Sequence, residues 1–225
     1  MSGSEYDYTE RPKQFERNDF WRQVRRTING KPVDEAQIQL IVQQIVSVLC
    51  LVPTDRLLDI GCGNGALSAR LESHIGELVG VDLSEYLIDV ANEHFASPKM
   101  SFERKGVEDV IGQPSFRKFN KGLLYGVSSF LDDETIARLV EWFFDQESGA
   151  LLFGNVRDRN FAVEFYGAEP DPSELDNVGS SMGKWRTQAW YEQLAISRGV
   201  KVRFFKMPDE FYAAKYYFDV LMTKG

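Results

Sequence analysis

The stretch Arg56-Leu57-Leu58-Asp59-Ile60-Gly61-Cys62-Gly63-Asn64-Gly65-Ala66-Leu67-Ser68 runs from a short apolar strand pattern, through three alternating glycines, into a helical stretch. A second apolar run then ends on an acid in Gly80-Val81-Asp82-Leu83-Ser84. Glycines at this spacing let backbone approach a nucleotide closely at a helix N-terminus, and the downstream acid reaches a ribose. The six residues Gly61-Cys62-Gly63-Asn64-Gly65-Ala66 satisfy the dinucleotide pattern G-x-G-x-x-A as well as G-x-G-x-G. The loop therefore points to a nucleotide-containing ligand and leaves open which one.

Outward from this loop, strand and helix patterns alternate. Strands are expected near Leu57–Ile60, Leu78–Asp82, Met100–Arg104, Gly122–Tyr125 and Ala150–Asn155, and helices near Ala66–His74, Ser84–Phe95, Asp132–Phe144 and Thr187–Ser197. That alternation implies a parallel sheet covered on both faces. Val200–Lys206 and Tyr216–Met222 are strand-like runs without a long helix between them, which favours an antiparallel pair closing one side of the sheet. Before the glycine loop, Asp34 caps a helix through Leu49, with Ile38, Ile41, Val42, Ile45, Val46 and Leu49 at helical spacing. Phe15, Phe20, Trp21 and Val24 suggest a further short amphipathic helix, ended by Gly30-Lys31-Pro32.

Three features discriminate between ligands. Asp59 stands two residues before the first glycine, where a nicotinamide-binding strand usually keeps an apolar residue. The glycine unit begins after more than fifty residues of a 225-residue chain, leaving little room for a separate substrate domain. The chain also ends in the strand–loop–strand pattern. On the residues Leu58-Asp59-Ile60-Gly61-Cys62-Gly63-Asn64-Gly65 and Gly80-Val81-Asp82-Leu83-Ser84, the chain from about Asp34 onward resembles a class I S-adenosylmethionine-dependent methyltransferase. The resemblance implies an α/β, Rossmann-like, doubly wound sheet of about seven strands, mostly parallel with an antiparallel C-terminal strand. It divides the chain into an N-terminal helical extension or lid, residues 1–33, and a methyltransferase domain, residues 34–225.

The resemblance also implies roles. Asp59, Gly61, Gly63, Asn64 and Gly65 would surround the methionine part of S-adenosylmethionine, released as S-adenosylhomocysteine. Asp82 would accept hydrogen bonds from both ribose hydroxyls, a task suited to two carboxylate oxygens. Leu83 would pack on adenine, and the Val107 amide or Glu108 would meet its edge. Tyr125 would border the sulfonium and the reacting methyl, with Asn155 lining the catalytic pocket beside it. No metal is expected.

His74 and His94 each lie late in a helix pattern that returns the chain away from the cofactor ends of the strands. The acceptor is then an amine attacking in its neutral form, an oxygen already anionic, or a hydroxyl served by a carboxylate or tyrosine. Polar, charged and aromatic residues mix from Asn155 to Tyr166 and again in Gly183-Lys184-Trp185-Arg186. Arg157, Tyr166, Trp185 and Arg186 are the expected acceptor-binding residues, with Arg159 and Lys184 beside them, because guanidinium groups match oxyanions bidentately. These cations in an otherwise acidic chain point to an anionic small-molecule acceptor.

Composition bounds the partners. The net charge of −8 argues against broad binding to nucleic acid or anionic membranes. The segment Tyr125-Gly126-Val127-Ser128 also lacks an Asn-Pro-Pro-Tyr-like motif. Protein or nucleic-acid methylation, or cofactor binding without catalysis, are the competing readings. No apolar run approaches the roughly 18 residues of a membrane span, and Cys50 and Cys62 alone form no disulfide framework, so a cytoplasmic setting is expected.

Overall fold

The computed structural model describes residues 7–145 and 149–225. Its elements are α1 (Phe20–Gln23), β1 (Thr27–Ile28), β2 (Lys31–Pro32), α2 (Glu35–Leu49), β3 (Arg56–Ile60), α3 (Ala66–Ala69), β4 (Glu77–Asp82), α4 (Glu85–Phe95), β5 (Met100–Arg104) and α5 (Val107–Gly112). There follow β6 (Lys121–Tyr125), α6 (Asp133–Phe144), β7 (Ala150–Arg157), α7 (Ala162–Tyr166), α8 (Pro172–Leu175), α9 (Gln188–Arg198), β8 (Val200–Phe205) and β9 (Tyr217–Lys224). The main sheet has seven strands in the order β5-β4-β3-β6-β7-β9-β8. β3 pairs in parallel with β4 and with β6, and β4 with β5. β9 runs antiparallel to both of its neighbours, β7 and β8. The expected architecture is therefore present, and the order reverses beside β3, where open α/β sheets bind ligands at the carboxyl ends of their strands.

The helices start where short polar side chains satisfy the free N–H groups of the first turn. Asp34 accepts from Gln37 N at 2.9 Å, Ser84 from Leu87 N at 3.4 Å, Asp132 from Thr135 N at 2.7 Å and Thr187 from Trp190 N at 3.2 Å. α2 buries Ile38, Ile41, Ile45 and Leu49 almost completely. Each such side chain contributes about 1.5–3 kcal/mol relative to exposure.

The described residues fall into two units, one within residues 7–123 and one within residues 124–225. The first holds the glycine loop over a core that includes Leu57, Leu58, Leu78, Val81 and Phe102. The second is built on Leu151, Leu152, Phe153, Phe218, Val220 and Met222, with Ile136, Leu139 and Val140 from α6 all buried.

Two local expectations are corrected. The helix expected over Ala66–His74 is α for one turn, then tightens to i→i−3 bonds: Arg70 N donates to Leu67 O and Leu71 N to Ser68 O. The N-terminal segment is not one amphipathic helix. It forms a 3-10 turn (Arg11–Gln14), the single-turn α1, and the β1–β2 hairpin. Arg25, at φ +59°, ends α1, and Asn29-Gly30, at φ +50° and +76°, makes the two-residue turn that hairpins favour.

Candidate active site

In the first unit, the glycine loop folds back on β4, with Gly61 N and Cys62 N both donating to Val81 O at 2.7 and 3.0 Å. Gly61, Gly63 and Gly65 take φ of +76°, +58° and +74°, a region costly for residues with a Cβ. Beneath the loop, Gly80 admits Phe102 and Cys62; a Cβ there would lie 2.6 Å from the Phe102 ring and 2.9 Å from Cys62 Sγ. Burial pushes the Cys62 thiol well up, so it stays a neutral packing group.

Asp82 ends β4 with both oxygens engaged: Oδ2 accepts from Gly63 N at 3.0 Å and Oδ1 from Ser84 N at 2.9 Å. Burial raises its pKa, against the pull of those N–H groups. Leu83 follows with 66% of its surface exposed, an open apolar face. A Cβ on Gly106 would come within 3.0 Å of Leu83 Cδ2, so this glycine lets the start of α5 approach Leu83. Val107 is buried, while Glu108 is exposed. Backbone donors, a two-oxygen acid and an open apolar face are thus gathered on consecutive strand ends. They fit the methionine, ribose and adenine parts of S-adenosylmethionine.

Asp59 is buried, and its Oδ2 accepts from Ser68 Oγ at 2.6 Å. Burial pushes its pKa up to about 6; Ser68 and the positive charge of Arg26 oppose that shift, and the Asp82 charge adds to it. Asn64 departs from expectation. Its side-chain amide donates to Phe20 O and Gln23 Oε1, each at 2.8 Å, and its Oδ1 accepts from Ala66 N. Its side chain is spent on the N-terminal segment and on the start of α3.

In the second unit, Tyr125 ends β6 with its ring lying over Gly154; any Cβ there would sit 2.5 Å from Tyr125 Cδ2. Gly126 N donates to Gly154 O at 2.8 Å. Asn155 adopts φ +57° at an irregularity in β7, with its N–H on buried Asp219 Oδ1 at 2.7 Å. A Cβ on Gly126 would lie 3.6 Å from Asn155 Nδ2. The two expected pocket-lining residues are therefore brought together, and Asn155 is held in a strained conformation that accompanies functional sites.

Nearby in sequence, the Arg157 guanidinium lies 5.5 Å from the Phe130 ring and 5.9 Å from that of Tyr217. Tyr166 is 40% exposed. Burial pushes its hydroxyl pKa up, with Glu174 adding to the shift and Arg157 opposing it. Arg157, Tyr166, Tyr217 and Phe130 form one cationic and aromatic cluster.

Arg186 and Trp185, expected to meet the acceptor, are both buried. Arg186 is 2% exposed and donates to Ser128 O at 2.7 Å, Leu131 O at 2.6 Å and Asp133 Oδ1. Trp185 is 1% exposed in a small core with Ala162 and Leu175, packed by Phe165. Lys184 is paired with Asp133, and Arg159 forks onto Asp176. His94 stacks edge-on with Phe20 and His74 ends the 3-10 turn after α3. Asp219 escaped the sequence reading, although an acid inside Phe218-Asp219-Val220-Leu221-Met222 was the available signal. So did the packing of Gln23 and Val24 on the loop, for which the sequence carried no signal.

With fold and loop in view, the chain has the Rossmann-like fold of the class I S-adenosylmethionine-dependent methyltransferases. Residues 57–143 match the family described as a methyltransferase domain. A ubiquinone biosynthesis O-methyltransferase of Coxiella burnetii is 36% identical over 76 residues, covering 34% of this chain and 30% of that protein. A ribosomal RNA small subunit methyltransferase A of Dehalococcoides mccartyi is 29% identical over 97 residues, covering 40% of this chain and 33% of that protein. The matches thus span about a third of these curated relatives. Among solved structures, magnesium protoporphyrin IX methyltransferase from Synechocystis PCC 6803 with bound S-adenosylhomocysteine superposes with a TM-score of 0.63 at 17% identity, covering 97% of this chain and all of that one.

Proposed function

We propose that the protein transfers the methyl group of S-adenosylmethionine to an anionic small molecule, at oxygen or nitrogen. What carries the methyl-transfer reading is the glycine loop joined to Asp82, two carboxylate oxygens already aligned on backbone N–H groups beside exposed Leu83. Bound cofactor supplies an electrophilic methyl on a sulfonium that needs no activation by the protein. Asp82 then holds the ribose hydroxyls, Leu83 the adenine face with the Val107 amide or Glu108 at its edge, and Asp59 the ammonium. Tyr125 and Asn155 border the reacting centre, and catalysis consists of alignment and exclusion of water.

For the acceptor, support has narrowed from four cations to Arg157, whose guanidinium lies against two aromatic rings beside Tyr166. A cation set among aromatic faces suits a planar acid. The second reading, a nucleic-acid acceptor, is favoured by one relative's description and opposed by the −8 charge. Incubation with methyl-labelled S-adenosylmethionine and separate metabolite, RNA and protein fractions distinguishes them. Label in the metabolite fraction, with Arg157→Gln raising acceptor KM, supports the proposal; label in RNA or protein alone refutes the small-molecule reading.

A further inference from the structure

Near its end β7 carries a bulge, and a buried acid lies opposite it. Phe153 pairs with Val220 and Val156 with Phe218, so Gly154 and Asn155 between them both face the single residue Asp219 on β9. The four flanking side chains are almost completely buried. They fix the register on either side, because a one-residue slip would turn them out of the core.

The two bulge residues serve different neighbours. Gly154 presents a bare Cα to the Tyr125 ring, and its carbonyl accepts from Gly126 N at 2.8 Å. Asn155 takes φ +57°, and its N–H turns to a side chain, donating to Asp219 Oδ1 at 2.7 Å. The Asn155 side chain contrasts with that of Asn64. Among the described residues it makes no hydrogen bond, and its Nδ2 would lie 3.6 Å from a Cβ on Gly126. Asp219 itself is 2% exposed, between buried Phe218 and Val220. An apolar side chain would fill this place without desolvation cost, whereas a buried acid is costly unless hydrogen-bonded. What the acid adds is a strong acceptor for the N–H of a residue held in a conformation that L side chains rarely adopt.

Resting on the reading that sets Asn155 beside the reacting centre, we propose that Asp219 is the positioning residue of the acceptor site. From across the bulge it fixes the Asn155 backbone, and that backbone aims a side-chain amide that spends no hydrogen bond on the protein. The amide suits an acceptor with a carbonyl or anionic oxygen near its nucleophilic atom, and holds it for in-line attack. Asp219 takes no proton in this role; its oxygen acts as a hydrogen-bond acceptor.

Transfer of label from methyl-labelled S-adenosylmethionine into a dilution series of protein-free metabolite extract tests this, with cofactor affinity read by titration of S-adenosylhomocysteine. Asp219→Val fills the site without an acceptor. It is expected to lower the initial rate at limiting extract by roughly tenfold or more, while the Kd for S-adenosylhomocysteine changes less than about twofold. Asp219→Ala, read the same way, covers the case in which valine does not fit. Asp219→Asn keeps a carbonyl oxygen for the Asn155 N–H and should stay within about threefold of the wild-type rate. Asn155→Gly accepts the same backbone without the amide and should itself be slow. Adding Asp219→Val to Asn155→Gly should then change the rate less than about twofold, although the fall in Tm caused by Asp219→Val persists. An equal loss of rate from Asp219→Val with and without the Asn155 amide overturns the proposal and marks a structural role. So does an Asp219→Asn variant as slow as Asp219→Val, which would show that the charge itself is needed. A wild-type rate in Asp219→Val or in Asn155→Gly overturns it as well. If wild-type protein labels no small molecule, the acceptor reading above falls, and the proposal with it.

Discussion

Replacing Arg186 by methionine separates a structural role from an acceptor-binding one. The guanidinium is almost fully buried and makes charge-assisted hydrogen bonds to the carbonyls of Ser128 and Leu131, which methionine cannot replace. Each is worth about 1.5–3 kcal/mol, and the bonds are not additive. The ion pair with Asp133 adds less, because that carboxylate is 43% exposed and screened by solvent. Taken together, losing one partner of such a buried network costs about 3–5 kcal/mol. For a chain of this length, each kcal/mol shifts Tm by about 2–4 °C, so a fall of about 6–20 °C is expected. Differential scanning calorimetry of Arg186→Met reads it directly. An unchanged Tm accompanied by a raised acceptor KM would refute the structural assignment and restore Arg186 to the acceptor site.

Trp185→Ala empties the small core shared with Ala162, Leu175 and Phe165, and should destabilise the protein by about 3–5 kcal/mol in urea unfolding. Gly63→Ala combines φ +58° with a 2.8 Å approach to Val24, and should cost about 1–3 kcal/mol while loosening the N-terminal segment, seen as faster hydrogen exchange in residues 20–26. Asp59, with its pKa near 6, must be ionised to face an ammonium, so affinity for S-adenosylhomocysteine should fall about tenfold from pH 7 to pH 5. The stability contribution of the same group runs the other way. Folded protein holds its proton up to about pH 6 and the unfolded chain releases it near 4, so this contribution grows as pH falls between those values. In Asp59→Asn both dependences should disappear; a wild-type affinity flat from pH 7 to 5 would contradict this role.

Helix starts were legible because Asp34, Ser84, Asp132 and Thr187 are local signals, each satisfied three residues away. The glycine loop and Asp82 were legible for the same reason: the conformations they need are written in residue type at fixed spacing. The burial of Arg186 and Trp185 was not legible, because Gly183-Lys184-Trp185-Arg186 has the composition of a surface loop, while the acid that pairs with Arg186 lies 53 residues away. The packing of Gln23 on the loop was missed in the same manner, since the Asn64–Gln23 bond spans 41 residues. Asn155 was picked for its place after a strand, but its left-handed backbone and its bond to Asp219 depend on pairing with β9. Sequence types announce local geometry; burial and distant partners decide whether a cation binds a ligand or its own protein.

The central claim is that Asp82 and the glycine loop hold S-adenosylmethionine or its product. Titration of S-adenosylhomocysteine into wild-type protein and Asp82→Ala, each verified as folded by its unfolding curve, tests it most directly. The account predicts saturable wild-type binding and an affinity loss of roughly a hundredfold or more in the variant, as two hydrogen bonds to a charged acceptor are removed. Absence of wild-type binding, or an equal Kd for the two proteins, would contradict it.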